Sequence, residues 1–373
     1  MQKHGLRSTI LAAAALAGAA LSATLGGMTG AAAQTVLKFQ AAFPPSSMIY
    51  ESFQLFAKRV ETMSGGRLKI ETLPAGAIVP AFEVLDATHK NVIDGAHSAT
   101  AYWVGKHRAG TLFGPAPGGP FGMDVLDYMG WVHEGGGLEL YREYFQDVLK
   151  RNVVPMPLTP VSGQVVGWFK KPFNSVEDLK GRKCRQTGIT AEVFTRLGMT
   201  TVNMPGGEIV PAGERGLIDC AEWVGPAEDM KMGFQSVWKY YYMPSMHEPA
   251  TVLELLINGD VWKKLPPDLQ EIVRSATWEV TFRYQTILNR ANADALKELR
   301  EKHGVTIART PDEVLKKILE AWDAIAKEES DKDPFFRKVL DSQRQYASMV
   351  VPARRFVYPP YEFGANHYWP ETK

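Results

Sequence analysis

The alternation of apolar and polar positions divides the chain into short strands and longer helices. Residues 36–42 read as a first strand, buried on at least one face. Across residues 46–63, Ile49, Phe53, Phe56, Val60 and Met63 recur at helical spacing on one side, and Gly65-Gly66 ends the run. Residues 68–73 alternate as a strand until Pro74 and Gly76 break it. Residues 82–89 then read as a short helix and 92–98 as a strand. This rhythm predicts α/β layers around a mostly parallel sheet.

Residues 110–123 are rich in glycine and proline, as in a loop or a crossing between lobes. Residues 126–151 are again helical, and 153–158 and 163–169 are strands. Asn174 with Glu177 and Asp178 opens a short helix. A strand over 181–186, a helix over 190–197 and a strand entered from Gly216 follow, so residues 155–250 repeat the first alternation. A long helix starts in Leu265-Pro-Pro-Asp-Leu-Gln270 and runs to about His303, where Gly304 stops it. Two more helices are predicted over 312–326 and 334–350. The tail from Pro352 carries Phe356, Tyr358, Tyr361, Phe363, Tyr368 and Trp369, and fits either a strap packed on a lobe or a dimer contact.

The N-terminus sets the compartment. Lys3, His4 and Arg7 precede an apolar, alanine-rich run over 10–25, and Ala31-Ala32-Ala33 stands before Gln34. That is the order of a secretory signal peptide over residues 1–33. The run is short, glycine-interrupted and weakly hydrophobic for a membrane anchor. No twin-arginine pair precedes it, so the general secretion route and a periplasmic, soluble mature protein are expected. Removing residues 1–33 changes the formal charge from +1 to −1, because only Lys3 and Arg7 leave. A near-neutral chain without a basic tract is a poor binder of nucleic acid or anionic membranes. Its length suits two domains of roughly 150 residues each. Cys184 and Cys220 are too few for a structural zinc site. The compartment permits a disulfide, but nothing in the sequence shows that their Cα atoms meet.

Four polar positions fall at or near strand ends: Gln164 after Gly163, Arg185 before a helix, Glu222 with Trp223, and Glu248 after His247. In open α/β sheets ligands bind beyond the carboxyl ends of strands. An arginine fork pairs with a carboxylate. Glutamates, an amide oxygen and the Trp223 carbonyl are hard oxygen donors for sodium, calcium or magnesium. Trp223 also offers an apolar wall. Arg185 with two glutamates sums to −1, and a carboxylate ligand makes −2, so the count favours a bound cation and, mildly, a divalent one. Singly, each residue has a plain structural reading: an ion pair for Arg185, a solvated strand end for Glu222, a turn acid for Glu248. The combination carries the information.

The chain resembles the substrate-binding proteins of tripartite ATP-independent periplasmic (TRAP) transporters, of the DctP-like family. It is most similar to their 2-oxo-acid and lactate-binding branch. The residues that carry this are the stretch from Asn174-Ser-Val-Glu-Asp to Arg185, Met204-Pro-Gly-Gly-Glu-Ile-Val210, Gly216-Leu-Ile-Asp-Cys-Ala-Glu-Trp-Val-Gly-Pro226 and Leu265-Pro-Pro-Asp-Leu-Gln270. The resemblance implies a two-lobed periplasmic binding protein fold with a hinge cleft and a long inter-lobe helix. Lobe I would comprise residues 34–154 with parts of 251–373, lobe II residues 155–250, the connecting helix 265–303, and a C-terminal helix and strap 334–373. It implies that Arg185 binds the carboxylate of a small monocarboxylate, a 2-oxo acid such as pyruvate or a 2-hydroxy acid such as lactate. It further implies that Gln164, Glu222, the Trp223 carbonyl and Glu248 hold sodium or calcium against that ligand, and that a TRAP permease receives it. Tyr102 and Trp103 match the first-lobe wall of the pocket. One departure is the run 210–216, where Gly213 should weaken a helix.

Two other classes stay in view. No Gly-x-Ser-x-Gly elbow, His-Glu-x-x-His, Walker loop or strand-borne Gly-x-Gly-x-x-Gly occurs, yet a glutamate pair can serve as acid and base. Turnover of the acid separates an enzyme from a capture protein. A sensor module for a membrane receptor would have the same site and differ only in its partner. A metal-free dicarboxylate or sugar-acid binder is disfavoured, because the extra acids repel a second carboxylate.

Overall fold

The computed structural model describes residues 34–114 and 116–370; the signal-peptide reading of residues 1–33 lies outside them. Eleven strands are found among the described residues. They are β1 (Thr35–Ala41), β2 (Leu68–Leu73), β3 (Gly95–Ser98), β4 (Val153–Ser162), β5 (Gly167–Phe169) and β6 (Lys183–Arg185), then β7 (Thr200–Val202), β8 (Cys220–Ala221), β9 (Tyr240–Met243), β10 (Thr251–Asn258) and β11 (Thr306–Arg309). They form two sheets, ordered β2-β1-β3-β10-β4 and β11-β9-β5-β8-β6-β7. The molecule is a two-lobed α/β protein with one sheet per lobe.

Both sheets are mixed, which corrects the expectation of mostly parallel pairing. In the first, β10 runs antiparallel to β3 and β4. In the second, β5 runs antiparallel to β8 and β9. The reversed strands flank the places where the chain changes sheet. It passes from β4 to β5 through residues 163–166 and returns from β9 to β10 through residues 244–250. Strand β4, assigned to the second lobe from 155 onward by the sequence, pairs with β10 along its length and so lies in the first sheet.

Helix Met48–Met63 follows its pattern closely. Ser47 caps it by accepting the Ile49 N–H at 3.0 Å, and Ile49, Phe53, Phe56 and Val60 are buried. Met63, in the last turn, is exposed instead. The single helix expected over 126–151 is broken into Val125–Glu134, Gly137–Glu143 and a turn at Tyr144–Val148. The glycines at 135–137 cause this: Gly136 adopts φ +80°, and a Cβ on Gly137 would lie 2.8 Å from Val132 Cα. Helix Pro267–Glu301 spans about 52 Å at 1.5 Å per residue. Leu269, Val273, Ala276, Val280, Tyr284 and Leu288 form its buried stripe. It packs on β4 of the first sheet and on helix Pro226–Met232 beside the second.

Helix Gly206–Glu214 forms despite Pro211 and Gly213. Gly213 is there for space, since a Cβ would meet the Trp238 indole at 2.5 Å. Gly213→Ala therefore lowers thermal stability, whereas helix propensity alone would raise it by about 1 kcal/mol. A melting temperature equal to or above wild type in thermal denaturation would refute this account.

The C-terminal region differs from a packed strap. Helix Pro334–Val357 continues through Pro352, and a short helix Tyr361–Tyr368 follows. The proline removes one backbone hydrogen bond on an exposed face without ending the helix. Phe356 is 90% exposed, and Tyr361, Phe363, Tyr368 and Trp369 are likewise uncovered.

Candidate functional site

Arg185 ends β6, and Glu222 directly follows β8, its parallel neighbour. Cys184, one residue before Arg185, and Cys220, two before Glu222, stand opposite each other on these strands. They form a disulfide, left undecided by the sequence, with Cα atoms 4.5 Å apart. Both residues of the ion pair are 2% exposed. The Arg185 Nη1 donates to the Glu222 carbonyl at 2.7 Å and to its Oε2 at 3.1 Å. The guanidinium lies 5.2 Å from the Trp223 ring centroid.

Gln164 and Glu248 come from the two crossing segments. Their backbones are joined, the Gln164 N–H donating to the Glu248 carbonyl at 3.0 Å. The Gln164 Nε2 also donates to Glu248 Oε2 at 2.7 Å, while its Oε1 is buried with no hydrogen-bond partner. Thr251 donates to the same carboxylate at 3.2 Å, and Thr190, in the first turn of helix Gly188–Arg196, lies 3.5 Å from its Oε1. Burial, and then the charge of Glu222, push the Glu248 carboxyl well above the usual carboxylate range. Two acids thus share a buried site with one guanidinium.

These side chains face one cavity of about 40 Å³. Gln164, Arg185, Glu222 and Glu248 line it on the polar side, and Phe43, Tyr102 and Trp223 on the aromatic side. On the scale where about 10–15 Å³ holds one water, the space suits a ligand of a few heavy atoms. Burial raises the Tyr102 phenol to about 12, with Arg185 opposing and the two glutamates adding. It therefore stays a neutral hydroxyl.

Trp103 does not join this group. It is fully buried, and its indole N–H donates to Glu254, which also accepts the Tyr141 hydroxyl at 2.6 Å. Adjacent residues in a tight turn point apart, so Tyr102 reaches the cavity and Trp103 the core. The sequence reading passed over His247, Thr187, Thr190, Thr251 and Phe43. His247 is fully buried, with an unpartnered Nε2 placed 4.0 Å from Glu222 Oε1. Its position next to Glu248 was the available signal.

The donor set fits a hard cation. No group of three or more His, Cys, Asp or Glu side chains able to hold a metal occurs among the described residues. Two carboxylates, an orphaned amide oxygen and backbone carbonyls are instead the ligands that sodium or calcium takes.

Residues 39–333 match the family of bacterial extracellular solute-binding proteins, family 7 (DctP). The chain belongs to this family. Its members are solute-binding proteins of bacterial transport. Among relatives of this family 7 chain is a monocarboxylate 2-oxoacid-binding periplasmic protein of Nostoc, 33% identical over 313 residues that cover 84% of each sequence. A TRAP solute-binding protein of Pseudoalteromonas atlantica, with sodium and pyruvate bound, superposes with TM-score 0.82 at 32% identity, over 88% of this chain and 99% of that one. A TRAP solute-binding protein of Bordetella bronchiseptica, a dimer with calcium and picolinate in its active site, gives TM-score 0.83 at 29% identity, over 90% and 97%.

Proposed function

We propose that this family 7 protein captures a small monocarboxylate in the periplasm, a 2-oxo acid such as pyruvate or the related lactate, and delivers it to a TRAP permease without turnover. The observation that carries this is the meeting of Arg185, two buried glutamates and an unpartnered amide oxygen in one cavity of about 40 Å³. Arg185 would pair with the carboxylate of the acid. Gln164, Glu222, the Trp223 carbonyl and Glu248 would hold sodium or calcium, which supplies positive charge against the ligand oxygens. Tyr102 and Trp223 would wall the acid in. Residues 1–33 would be removed on export, leaving Gln34 first, and mass spectrometry of the exported protein tests this.

The ligands of the Pseudoalteromonas and Bordetella proteins support the class of acid and of ion. Calorimetric titration of metal-stripped protein tests it, with pyruvate, longer 2-oxo acids and lactate as ligands and sodium or calcium restored in turn. One acid bound per chain, recovered unchanged, is the expected result. No binding across the whole panel, or consumption of the acid, sinks the reading. The exposed aromatic tail, with the dimer of the Bordetella protein, supports a homodimer, which sedimentation of the full chain reads directly.

A further inference from the structure

Glu228 stands outside the donor set of the cavity yet is fully buried. It lies in the first turn of helix Pro226–Met232, which follows β8 of the second sheet. Its Oε1 accepts the Trp223 indole N–H at 2.9 Å and the Ser47 hydroxyl at 2.5 Å. Its Oε2 accepts the Met48 backbone N–H at 2.6 Å. Ser47 and Met48 are the cap and first residue of helix Met48–Met63, which lies between β1 and β2 of the first sheet. One carboxylate therefore fills the N-terminus of a helix on one side of the cleft while holding the indole that walls the cavity on the other.

The physics of that position is asymmetric between open and closed states. The first amides of a helix have no partner within it, and the positive end of the helix dipole favours an anion. Bonds from such groups to a carboxylate are short and strong when water is excluded. Burial pushes the Glu228 carboxyl upward, and the bonds from Ser47, Trp223 and Met48 pull it back. Parting the lobes breaks the bonds from Ser47 and Met48, which come from across the cleft. It leaves the bond from Trp223, whose segment runs directly into the helix that carries Glu228. One turn on, Lys231 pairs with Glu51 of the same first-sheet helix, but that pair is exposed and contributes little.

We propose that Glu228 is a positioning residue, a latch that couples the Trp223 wall of the cavity to closure of the cleft on helix Met48–Met63. The inference rests on the carboxylate-capture reading only for the ligand used to close the protein.

The test uses Glu228→Gln, which keeps the shape but loses the charge and one acceptor, and Ser47→Ala, which removes one bond to Glu228 and the cap at Ile49 while keeping the Glu228 carboxylate and the polar side chains of the cavity. Spin labels at Lys69 and Thr200, exposed residues of the first and second sheets, report the inter-lobe distance. With saturating pyruvate and calcium, wild type should populate the short distance, and both variants should show a smaller closed fraction. Pyruvate should dissociate about tenfold faster from Glu228→Gln, the scale of a hydrogen bond to a charged group, at an unchanged association rate. Wild-type closure and wild-type release in both variants overturn the latch. If wild type binds no pyruvate with either ion, the capture reading fails separately. The latch is then judged in the ligand-free proteins, where the closed fraction must fall from wild type to Glu228→Gln and equal distributions overturn it.

Discussion

Arg185→Ala weakens binding of the captured acid by about 30-fold to several thousandfold, the cost of truncating one partner of a buried, hydrogen-bonded charge pair. The guanidinium is 2% exposed, so solvent does not screen its loss. It also neutralises Glu222, which with Glu248 would otherwise face the ligand as unopposed acids. The ligand-free variant should melt earlier as well, because breaking a buried pair strands the remaining charge. Arg185→Lys separates shape from charge. A lysine supplies one point charge and cannot reproduce the two bonds of Nη1 to Glu222 together with a planar edge toward the ligand. Calorimetry on both variants, after thermal melts confirm folding, decides the matter. Wild-type affinity in Arg185→Ala would remove the arginine from the site.

Stripping the cation is the second large effect. With an acid bound and both glutamates ionised, one guanidinium faces an excess of two negative charges in a buried cavity. Without the cation, Glu248, whose carboxyl burial and Glu222 already push upward, must take up a proton to relieve it. Chelation in sodium-free buffer should weaken acid binding by at least about a hundredfold, since each tenfold corresponds to only about 1.4 kcal/mol and unpaired buried charge costs more than that. Calcium should restore affinity in wild type. Glu248→Gln removes one acid and shifts the balance by one charge, so it should lose most of the calcium requirement and respond comparably to sodium. Titration of the acid at fixed calcium, at fixed sodium and with chelator in sodium-free buffer measures this. Equal affinity in all three conditions, for wild type, would mean that the carboxylates serve packing and not an ion.

Much of the site was legible because strand ends advertise it. A charged or amide side chain where an apolar strand stops has few reasons to be there, and Arg185, Glu222, Gln164 and Glu248 all converge on the cavity. The resemblance to TRAP binding proteins added Tyr102 correctly to the lining, and added Trp103, which turns inward to Glu254. That error is local: the residues are adjacent, and only the backbone turn at Thr100–Trp103 decides which ring faces the ligand. Thr190 and His247 were missed because their contacts come from distant segments, Thr190 with Glu248 and His247 with Glu222, whereas Thr251 is only three residues from Glu248 and was simply passed over. Strand β10 was not read from the sequence, and the antiparallel direction of β5, whose strand was expected within 163–169, was missed for a related reason. Their direction is set by which sheet they enter, and periodicity within a strand carries no record of its partner. Gly213 misled in the opposite sense. Its propensity spoke against a helix, while the indole of Trp238 required it.

The two short strand crossings carry Gln164 and Glu248, tied backbone to backbone at 3.0 Å, and under the capture reading they would serve as the hinge. Atoms near an axis of rotation travel least as the halves swing. Half of the oxygen set should hence stay assembled in the wide-open molecule, while the Tyr102 wall arrives only at the end of the swing. Loading would then have a preferred sequence: the ion first, at a place already assembled, and the acid second, completing the shell and drawing the halves together.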